Sequence, residues 1–381
     1  ARMIMAGMEY MNEKPFSDVY FTGMVRDKQG RKMSKQLGNS PDLLDLIDRF
    51  GADAVRFGIM ISSPAGNDLL FDDSSCDQGR NFNNKIWNAL KLVKMWEGRQ
   101  STVDSRQSTE RNFAIEWFDN RLNEVKAELE DLYKNFRLSE ALKTIYSLIW
   151  DDFCSWYLEW VKPGFEQPIE KAVYEKTVYF FEELMQLLHP FMPFVTEEIY
   201  HQLKSRSESD DLTVKQESEI RSQRQGILNQ ADLLKQVITA LRDVRVKNLL
   251  KPKEEIKLHI HTSEQDAYNS FISILAKQVN ASEINFVNDA VTNSINCVVQ
   301  KDKFYIETET ELDTTAQKDQ LLKDLEYQKG FLLSVEKKLS NERFVQNAKP
   351  EVVEVEKKKK ADAEAKIKAI EESLESLGLS S

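Results

Sequence analysis

The chain has 381 residues, and 41% of them are hydrophobic, which is enough for two or three domains with separate cores. Residues 1–10 lack the pattern of a secretory signal, and no window approaches the ~18 apolar residues of a membrane span, so we expect a cytoplasmic protein. The net charge of −11 argues against a protein that coats nucleic acid indiscriminately, because such binding depends on Lys and Arg at phosphates.

The first predicted elements lie on either side of a basic loop. Residues 18–25 are rich in β-formers and predict a strand, which a polar turn follows. After the loop, Ser40 is a suitable N-cap for a helix that begins at Pro41, and a second short helix begins at Asp53. The chain starts at Ala1 inside an apolar run without a capping signal, which indicates a fragment of a longer protein.

The middle of the chain is predicted to be helical. Between residues 81 and 201, apolar residues recur at steps of three and four, which is typical of helices that bury one face. We therefore predict a bundle of several helices. Its longest polar connection, residues 204–224, has so little hydrophobic content that we expect it to be flexible.

The last third of the chain changes its period twice. After a helix at residues 227–250, alternating apolar residues and short β-rich runs predict a small α/β domain with strands at 255–261, 284–287, 295–299 and 304–306. From residue 312 onward, apolar residues repeat every seven positions, which predicts two helices of a coiled-coil hairpin. Glu356 and Lys360 occupy seam positions and should weaken its middle.

The segment from Gly30 to Asn39 is the one place where spacing suggests catalysis. It carries Lys32 and Lys35 three positions apart in a loop between the predicted strand and helix. A lysine ammonium on its flexible stem can follow phosphate oxygens as their charge changes, so the loop has the features of a mobile cationic clamp. A solvated basic loop is the competing interpretation, because short motifs often match by chance.

The surrounding residues favour the clamp. Residues 21–40 together with 51–57 resemble the Lys-Met-Ser-Lys-Ser loop region of class I aminoacyl-tRNA synthetases, although Gln36 stands where that family usually has Ser. Three further segments look like the helical anticodon-binding domain of the valine/isoleucine/leucine subgroup: residues 81–89, 150–159 and 190–198. The terminal hairpin is similar to that of the bacterial valyl-tRNA synthetase family.

This resemblance implies a mainly α, multidomain architecture with four parts. They are the C-terminal end of a Rossmann-like class I catalytic domain at 1–66, a helical anticodon-binding bundle at 67–225, a small α/β linker domain at 226–311 and an antiparallel coiled-coil tRNA-binding arm at 312–381. The His-x-x-His motif and the editing domain of the family are not in this sequence. We therefore expect the chain to be inactive by itself.

For the intact enzyme, the resemblance implies activation of valine with ATP, assisted by Mg²⁺, and transfer of valine to its cognate tRNA. Lys32 and Lys35 would stabilise the negative charge of the departing pyrophosphate. The residues expected to contact ATP are Arg31, Lys32, Met33, Ser34 and Lys35. No cofactor is expected to bind tightly to the fragment.

Basic residues on one bundle helix and on the arm are the candidate tRNA contacts, with an ordinary solvated surface as the alternative. They are Arg80, Lys85, Lys91, Lys94, Lys337, Lys338, Arg343, Lys349, Lys357 and Lys358. Large aromatic residues at helical spacing belong more often to the core than to base-stacking sites. We expect a core position for Trp150, Trp156, Trp160, Phe191 and Phe194.

No metal site is predicted. The cysteines Cys76, Cys154 and Cys297 are far apart, and His259 and His261 share a strand face without a third ligand nearby. We expect a monomer, with non-native association of the fragment through its apolar start at residues 3–8.

Two other functions stay open. An isoleucine- or leucine-type synthetase would differ in the tRNA that it prefers. A non-catalytic RNA-binding or scaffolding module would lack a nucleotide-binding half by nature.

Overall fold

A computed structural model divides the chain into two units, residues 1–225 and 226–381. The structure describes residues 1–63, 66–101, 108–164, 166–207, 209–216, 218–221, 224–248, 250–251, 253–292, 294–307, 314–340 and 350–376. Most of these residues are helical. Within the described ranges, no helix has the length and apolar character that crossing a bilayer requires.

The first unit is built from helices with two small strand pairs. The helices are α1 Arg2–Ala6, α2 Leu43–Phe50, α3 Ala52–Ile61, α4 Asp73–Glu97, α5 Ser108–Lys134, α6 Leu138–Ser147, α7 Leu158–Val161, α8 Lys171–Leu188 and α9 Pro193–Leu203. π-helical segments, Gly7–Met11 and Leu148–Tyr157, follow α1 and α6. The parallel strand pairs are β1 Val25–Arg26 with β2 Leu69–Leu70, and β3 Gln100–Ser101 with β4 Ile169–Glu170.

The second unit combines a four-stranded sheet with helices. Its helices are α10 Gln225–Lys247, α11 Asp266–Asn269, α12 Ile272–Val279, α13 Thr314–Leu339 and α14 Pro350–Ser376. Its strands are β5 Ile256–His261, β6 Ala281–Phe286, β7 Ile295–Val299 and β8 Asp302–Glu307. The sheet order is β6-β5-β8-β7, with β5 and β6 parallel and the other pairs antiparallel.

The predicted strand at residues 18–25 is largely wrong. Only Val25 and Arg26 pair with another strand, because β2 offers just two residues, and within the described chain the preceding residues have no strand partner. β-propensity reflects packing against neighbouring strands, so it is not sufficient where none is present. The following helix also begins later than predicted, because Asp42 is its N-cap and accepts a hydrogen bond from the Leu44 amide at 2.8 Å.

The connection at residues 204–224 is packed on the bundle where the structure describes it, so the expected flexibility is wrong there. The Arg206 side chain is only 3% exposed and pairs with Glu182 of α8. Lys215 lies 2.6 Å from Glu183, whose other oxygen lies 2.5 Å from Lys126 of α5. Ion pairs hold this segment on the bundle, and the hydrophobic content of a sequence does not reveal such pairs.

Cross-helix ion pairs show that α13 and α14 run antiparallel. Lys329 contacts Glu371 at 2.8 Å, and Glu336 contacts Lys360 at the same distance. Glu356 is 6% exposed and accepts a hydrogen bond from Lys359 at 2.7 Å. The two polar seam residues, Glu356 and Lys360, are therefore each paired with an opposite charge.

Replacing Glu183 by Gln tests the buried ion pairs. The Lys126 ammonium would lose its counter-charge in a site with almost no access to water, so we expect a loss of about 3 kcal/mol in the free energy of unfolding. Urea unfolding measures this loss. Glu130→Gln is the matched control, since its exposed pair with Lys134 should contribute less than about 1 kcal/mol. Equal losses in both variants would contradict this account.

The same variant tests a pH dependence. Burial raises the pKa of Glu183, but hydrogen bonds from Lys126, Lys215 and Ser218 outweigh it and hold the pKa below its usual value of 4.5. Because the folded-state pKa is lowered, Glu183 contributes stability above about pH 4.5 and loses it as the pH falls further. Below about pH 4.5, the free energy of unfolding of Glu183→Gln should accordingly fall less steeply with decreasing pH than that of the unsubstituted chain.

Candidate functional site

Asp27 holds the two sides of the basic loop together. Its Oδ1 atom accepts hydrogen bonds from the backbone amides of Gln29 and Arg31 at 3.0 and 2.9 Å. Its Oδ2 atom accepts hydrogen bonds from the side-chain amide of Asn39 at 2.9 Å and from the Arg31 guanidinium at 2.8 Å. The Asn39 bond is the largest cause of a pKa for Asp27 well below its usual range. The carboxylate therefore stays ionised and links residues at both ends of the loop.

Asn39 and Ser34 continue this network into the Lys-Met-Ser-Lys segment. The Asn39 side chain accepts a hydrogen bond from the Ser34 amide at 2.9 Å and donates to the Lys32 carbonyl at 3.3 Å. The Ser34 hydroxyl in turn accepts from the Leu37 amide at 3.2 Å and caps a short 3₁₀ turn. Gly38 ends that turn with a φ of 64°, a left-handed conformation that glycine adopts without strain.

Met33 fixes the centre of the segment to the protein core. Its side chain packs against a buried cluster from α2, α3 and their neighbours: Leu46, Phe50, Ala54, Val55, Phe71 and Cys76. Its amide donates to the Val25 carbonyl at 3.0 Å. Met33 thus anchors the segment between Lys32 and Lys35, both of which are exposed to solvent.

Lys32 and Lys35 differ from the basic residues around them. Three neighbours are each paired with an aspartate: Arg26 with Asp68, Lys28 with Asp72 and Arg31 with Asp27. Within the part of the chain that the structure describes, neither Lys32 nor Lys35 has an ion pair. Their positive charges are therefore available to an anionic ligand, whereas the Arg31 guanidinium is engaged in holding the loop.

The basic residues of α4 do not form one surface. At about 100° per residue, Arg80, Lys91 and Lys94 share a face, and Lys85 lies about 140° from Arg80 around the helix axis. Arg80 pairs with Asp77 and Lys94 with Glu97 along the helix. Lys85 lies over the Trp150 ring, 5.3 Å from its centre. Lys91 is exposed and makes no ion pair with any described residue.

The aromatic residues follow the expected core role with one exception. Trp160 and Phe191 are buried, and Trp150, which is half-buried, stacks on Tyr146 with ring centres 5.5 Å apart. Trp156 is half-buried beside Trp160. Phe194 is 66% exposed, because it lies in the first turn of α9 on the solvent side. The prediction of a core position is wrong for Phe194.

The arm lysines lie on the surfaces of α13 and α14. Lys338 is 3.8 Å from Glu356, and Lys357 is 2.8 Å from Glu354. Lys337 and Lys358 are exposed and have no ion pair among the described residues. The remaining two candidates, Arg343 and Lys349, lie outside the described residues.

Two residues of the first unit whose role the sequence does not predict connect distant segments. Asp53 of α3 is 5% exposed and accepts hydrogen bonds from the Phe194 and Val195 amides at 3.3 and 2.6 Å. Arg56 donates to the carbonyls of Phe191 and Pro190, both at 3.0 Å. Residues 51–57 and 190–198 both belong to the family resemblance, but nothing in the sequence indicates that these two segments contact each other.

One mixed group in the described part of the chain has the residue types of a metal site. The side chains of Glu197, His201 and Asp211 bring ligand atoms within 4.8 Å of one another. His201 Nε2 shares a hydrogen bond with Asp211 at 3.1 Å and lies 3.3 Å from a Glu197 oxygen. His259 pairs with Glu307 at 3.2 Å. That the chain binds no metal stays a prediction.

Three family models match successive parts of the chain. Residues 1–72 match tRNA synthetases class I (I, L, M and V). Residues 116–260 match the anticodon-binding domain of tRNA ligase, and residues 313–378 match the valyl tRNA synthetase tRNA binding arm. The first match contains the whole basic loop from Gly30 to Asn39, which we call the lysine loop.

Curated relatives align with nearly all of the chain. The valine–tRNA ligase of Parabacteroides distasonis is 47% identical over 379 residues, and that of Phocaeicola vulgatus is 48% identical over 377; each alignment covers 99% of this chain and 42% of the relative. The valine–tRNA ligase of Clostridium acetobutylicum is 33% identical over 385 residues. The chain thus spans less than half the length of these relatives.

A solved ternary complex of Agrobacterium radiobacter LeuRS with tRNA and LeuAMS has a TM-score of 0.42 and 16% identity, and the match covers 74% of this chain and 34% of that chain.

The lysine loop, the helical bundle and these matches define a class: the chain belongs to the class I tRNA synthetases of the I, L, M and V group. Within that class it belongs to the valine–tRNA ligase family, because its curated relatives bear that name along 99% of its length. The match to the valyl tRNA binding arm agrees with this assignment.

Replacing Asp27 tests the loop network. Asp27→Asn keeps one acceptor oxygen, whereas Asp27→Ala loses every side-chain contact to Asn39 and Arg31, so amide hydrogen exchange at residues 29–37 should accelerate in that order. Loss of charged hydrogen bonds predicts roughly tenfold faster exchange in Asp27→Ala. The exposed Asp48→Asn on α2 is the control. Unchanged exchange in Asp27→Ala would show that Asp27 does not hold the loop.

The exchange experiment also has a pH arm. Because the pKa of Asp27 is lowered, its contribution persists at pH 3.8, where an ordinary aspartic acid is half protonated. Protection of the loop amides should disappear only as the pH falls through the lowered value.

Proposed function

We propose that this chain provides the ATP loop and tRNA-binding parts of a valine–tRNA ligase, which activates valine with ATP and transfers the valyl group to its tRNA. The observation that carries the proposal is the pair of exposed lysines, Lys32 and Lys35, held on a fixed loop without ion-pair partners in the described structure. The choice of valine rests on the names of the curated relatives.

In the activation step, a carboxylate oxygen of valine attacks the α-phosphorus of ATP. The bond from that phosphorus to the bridging oxygen of pyrophosphate breaks, and the departing group gains negative charge. The ammonium groups of Lys32 and Lys35 would stabilise this charge, and they would do so more strongly in the transition state than with bound ATP.

Mg²⁺ would arrive with ATP as part of the substrate and supply further positive charge at the phosphates. The loop from Gly30 to Asn39 contains no carboxylate side chain, and the neighbouring Asp27, Asp68 and Asp72 are each paired with a basic residue. The phosphates would therefore provide its contacts near this loop.

Met33, Ser34 and Arg31 would support the lysines. Met33 anchors the segment in the core, and Ser34 caps the turn that contains Lys35. We assign Arg31 to the scaffold and not to direct ATP binding, since Asp27 occupies its guanidinium at 2.7 Å.

The tRNA would bind to the helical bundle and to the arm. On α4, the face of Arg80, Lys91 and Lys94 is the stronger candidate, because Lys85 lies on another face over Trp150. On the arm, Lys337, Lys338, Lys357 and Lys358 are the described candidates. We infer a monomer that acts in the cytoplasm, where tRNA is charged.

Replacing Lys35 by Ala in the full-length enzyme tests the activation step. The rate of valine-dependent ATP–pyrophosphate exchange should fall about 10²-fold, with a much smaller loss of ATP affinity. Lys28→Ala is the matched control: it removes the same side chain from the turn just before the loop, where Lys28 is already paired with Asp72. Equal losses of rate and ATP affinity in Lys35→Ala would contradict the assignment.

Equilibrium binding of this chain to tRNA tests the recognition step. We expect a preference for the tRNA that reads valine codons, and a salt dependence that reports the number of phosphates contacted. Lys91→Glu should weaken binding to all tRNAs and reduce the salt slope, whereas Lys143→Glu makes the same charge change at an exposed position of another helix, α6, and serves as the control.

Deletion of residues 312–381 should also weaken binding. A preference for an isoleucine or leucine tRNA would indicate a different synthetase. Equal and weak binding to every tRNA would favour a scaffolding module.

A further inference from the structure

Helix α3 has two faces with different partners. Ala54 and Val55 belong to the core that holds Met33 and the lysine loop. Asp53 and Arg56, which lie about 60° apart around the helix, reach the segment Pro190–Val195 instead. One helix thus contacts both the loop core and the start of α9.

The contacts to α9 satisfy backbone groups that have no local partner. The N-cap residue of α9, Met192, provides no side-chain cap, and helix N-termini leave amides unpaired. Asp53 accepts hydrogen bonds from two of these amides, and Arg56 binds two carbonyls just before the helix. The four bonds join residues more than 130 positions apart in the chain. Asp53 is buried and pairs amides that would be costly to leave unsatisfied, whereas Arg56 binds its two carbonyls from a more exposed position.

We propose that Asp53 and Arg56 are positioning residues that set α9, and with it the helical bundle, relative to the lysine loop during transfer of valine to tRNA. This inference rests on the proposed function. Transfer needs a tRNA held by the bundle while its acceptor end lies at the reaction centre, so a small misplacement of the bundle is transmitted over the length of the tRNA. Activation of valine uses the loop but no tRNA, and Asp27, Asn39 and Met33 hold the loop without contacts to α9.

The test compares two reactions of the full-length enzyme. For Arg56→Met, we expect valine-dependent ATP–pyrophosphate exchange to stay within about twofold, while kcat/KM for aminoacylation of tRNA falls at least roughly tenfold. Arg56→Lys should be intermediate, because an ammonium donates to carbonyls but lacks the planar fork of Arg. Asp53→Asn should also be intermediate, because its amide retains one acceptor.

Arg49→Met is the matched control. Arg49 lies on the adjacent α2, is exposed and pairs with Asp73, so the variant removes the same charge without touching α9. Both of its reactions should match those of the unsubstituted enzyme. If Arg56→Met does not fold, as judged by thermal unfolding, Arg56→Lys and Asp53→Asn carry the comparison.

Two results would overturn the inference. A parallel loss of exchange and aminoacylation would show that the contacts only support the fold, and unchanged aminoacylation would show that they do not position the bundle. An unsubstituted enzyme that activates no valine refutes the proposed function as well, so the two failures are distinguished by the enzyme without substitutions.

Discussion

The Asp27 carboxylate accepts hydrogen bonds from backbone and side-chain donors on both sides of the lysine loop, and the positions of Lys32 and Lys35 depend on it. A loop of this size has few apolar side chains to bury. The loop is held by the ionised carboxylate of Asp27 and by the apolar side chain of Met33, which packs in the adjacent core. This division leaves the lysine side chains free while their backbone is held, which suits the proposed role of following a changing phosphate charge.

Elsewhere in the first unit, polar side chains connect segments that are distant in the sequence. Glu183 joins α5, α8 and the connection after α9 through Lys126 and Lys215. Asp53 and Arg56 join α3 to α9. The buried ion pairs of Glu183 add little net stability compared with apolar packing, but they penalise other arrangements because a buried charge without its partner is very unfavourable. The geometry of the unit is specific for that reason.

Sequence patterns were sufficient for the amphipathic helices and for alternating strands such as Ile256–His261, since both periods directly reflect burial on one side. They also predict Lys32 and Lys35 as site residues, because the motif is continuous in the chain. They failed for residues 18–25, where a strand depends on a partner, and for residues 204–224, where ion pairs replace apolar contacts. Asp53 and Arg56 could not be found, because their partners are backbone groups in a segment that lies far away in the sequence.

Cys76 lies in the same core as Met33 and has no exposure to solvent. Burial raises the pKa of its thiol to about 11, so at neutral pH the group is both protonated and inaccessible to reagents. Alkylation of this thiol therefore requires transient separation of the core beneath the lysine loop. The rate at which Cys76 is alkylated therefore reports how often the core opens locally at that position, and no probe has to be introduced.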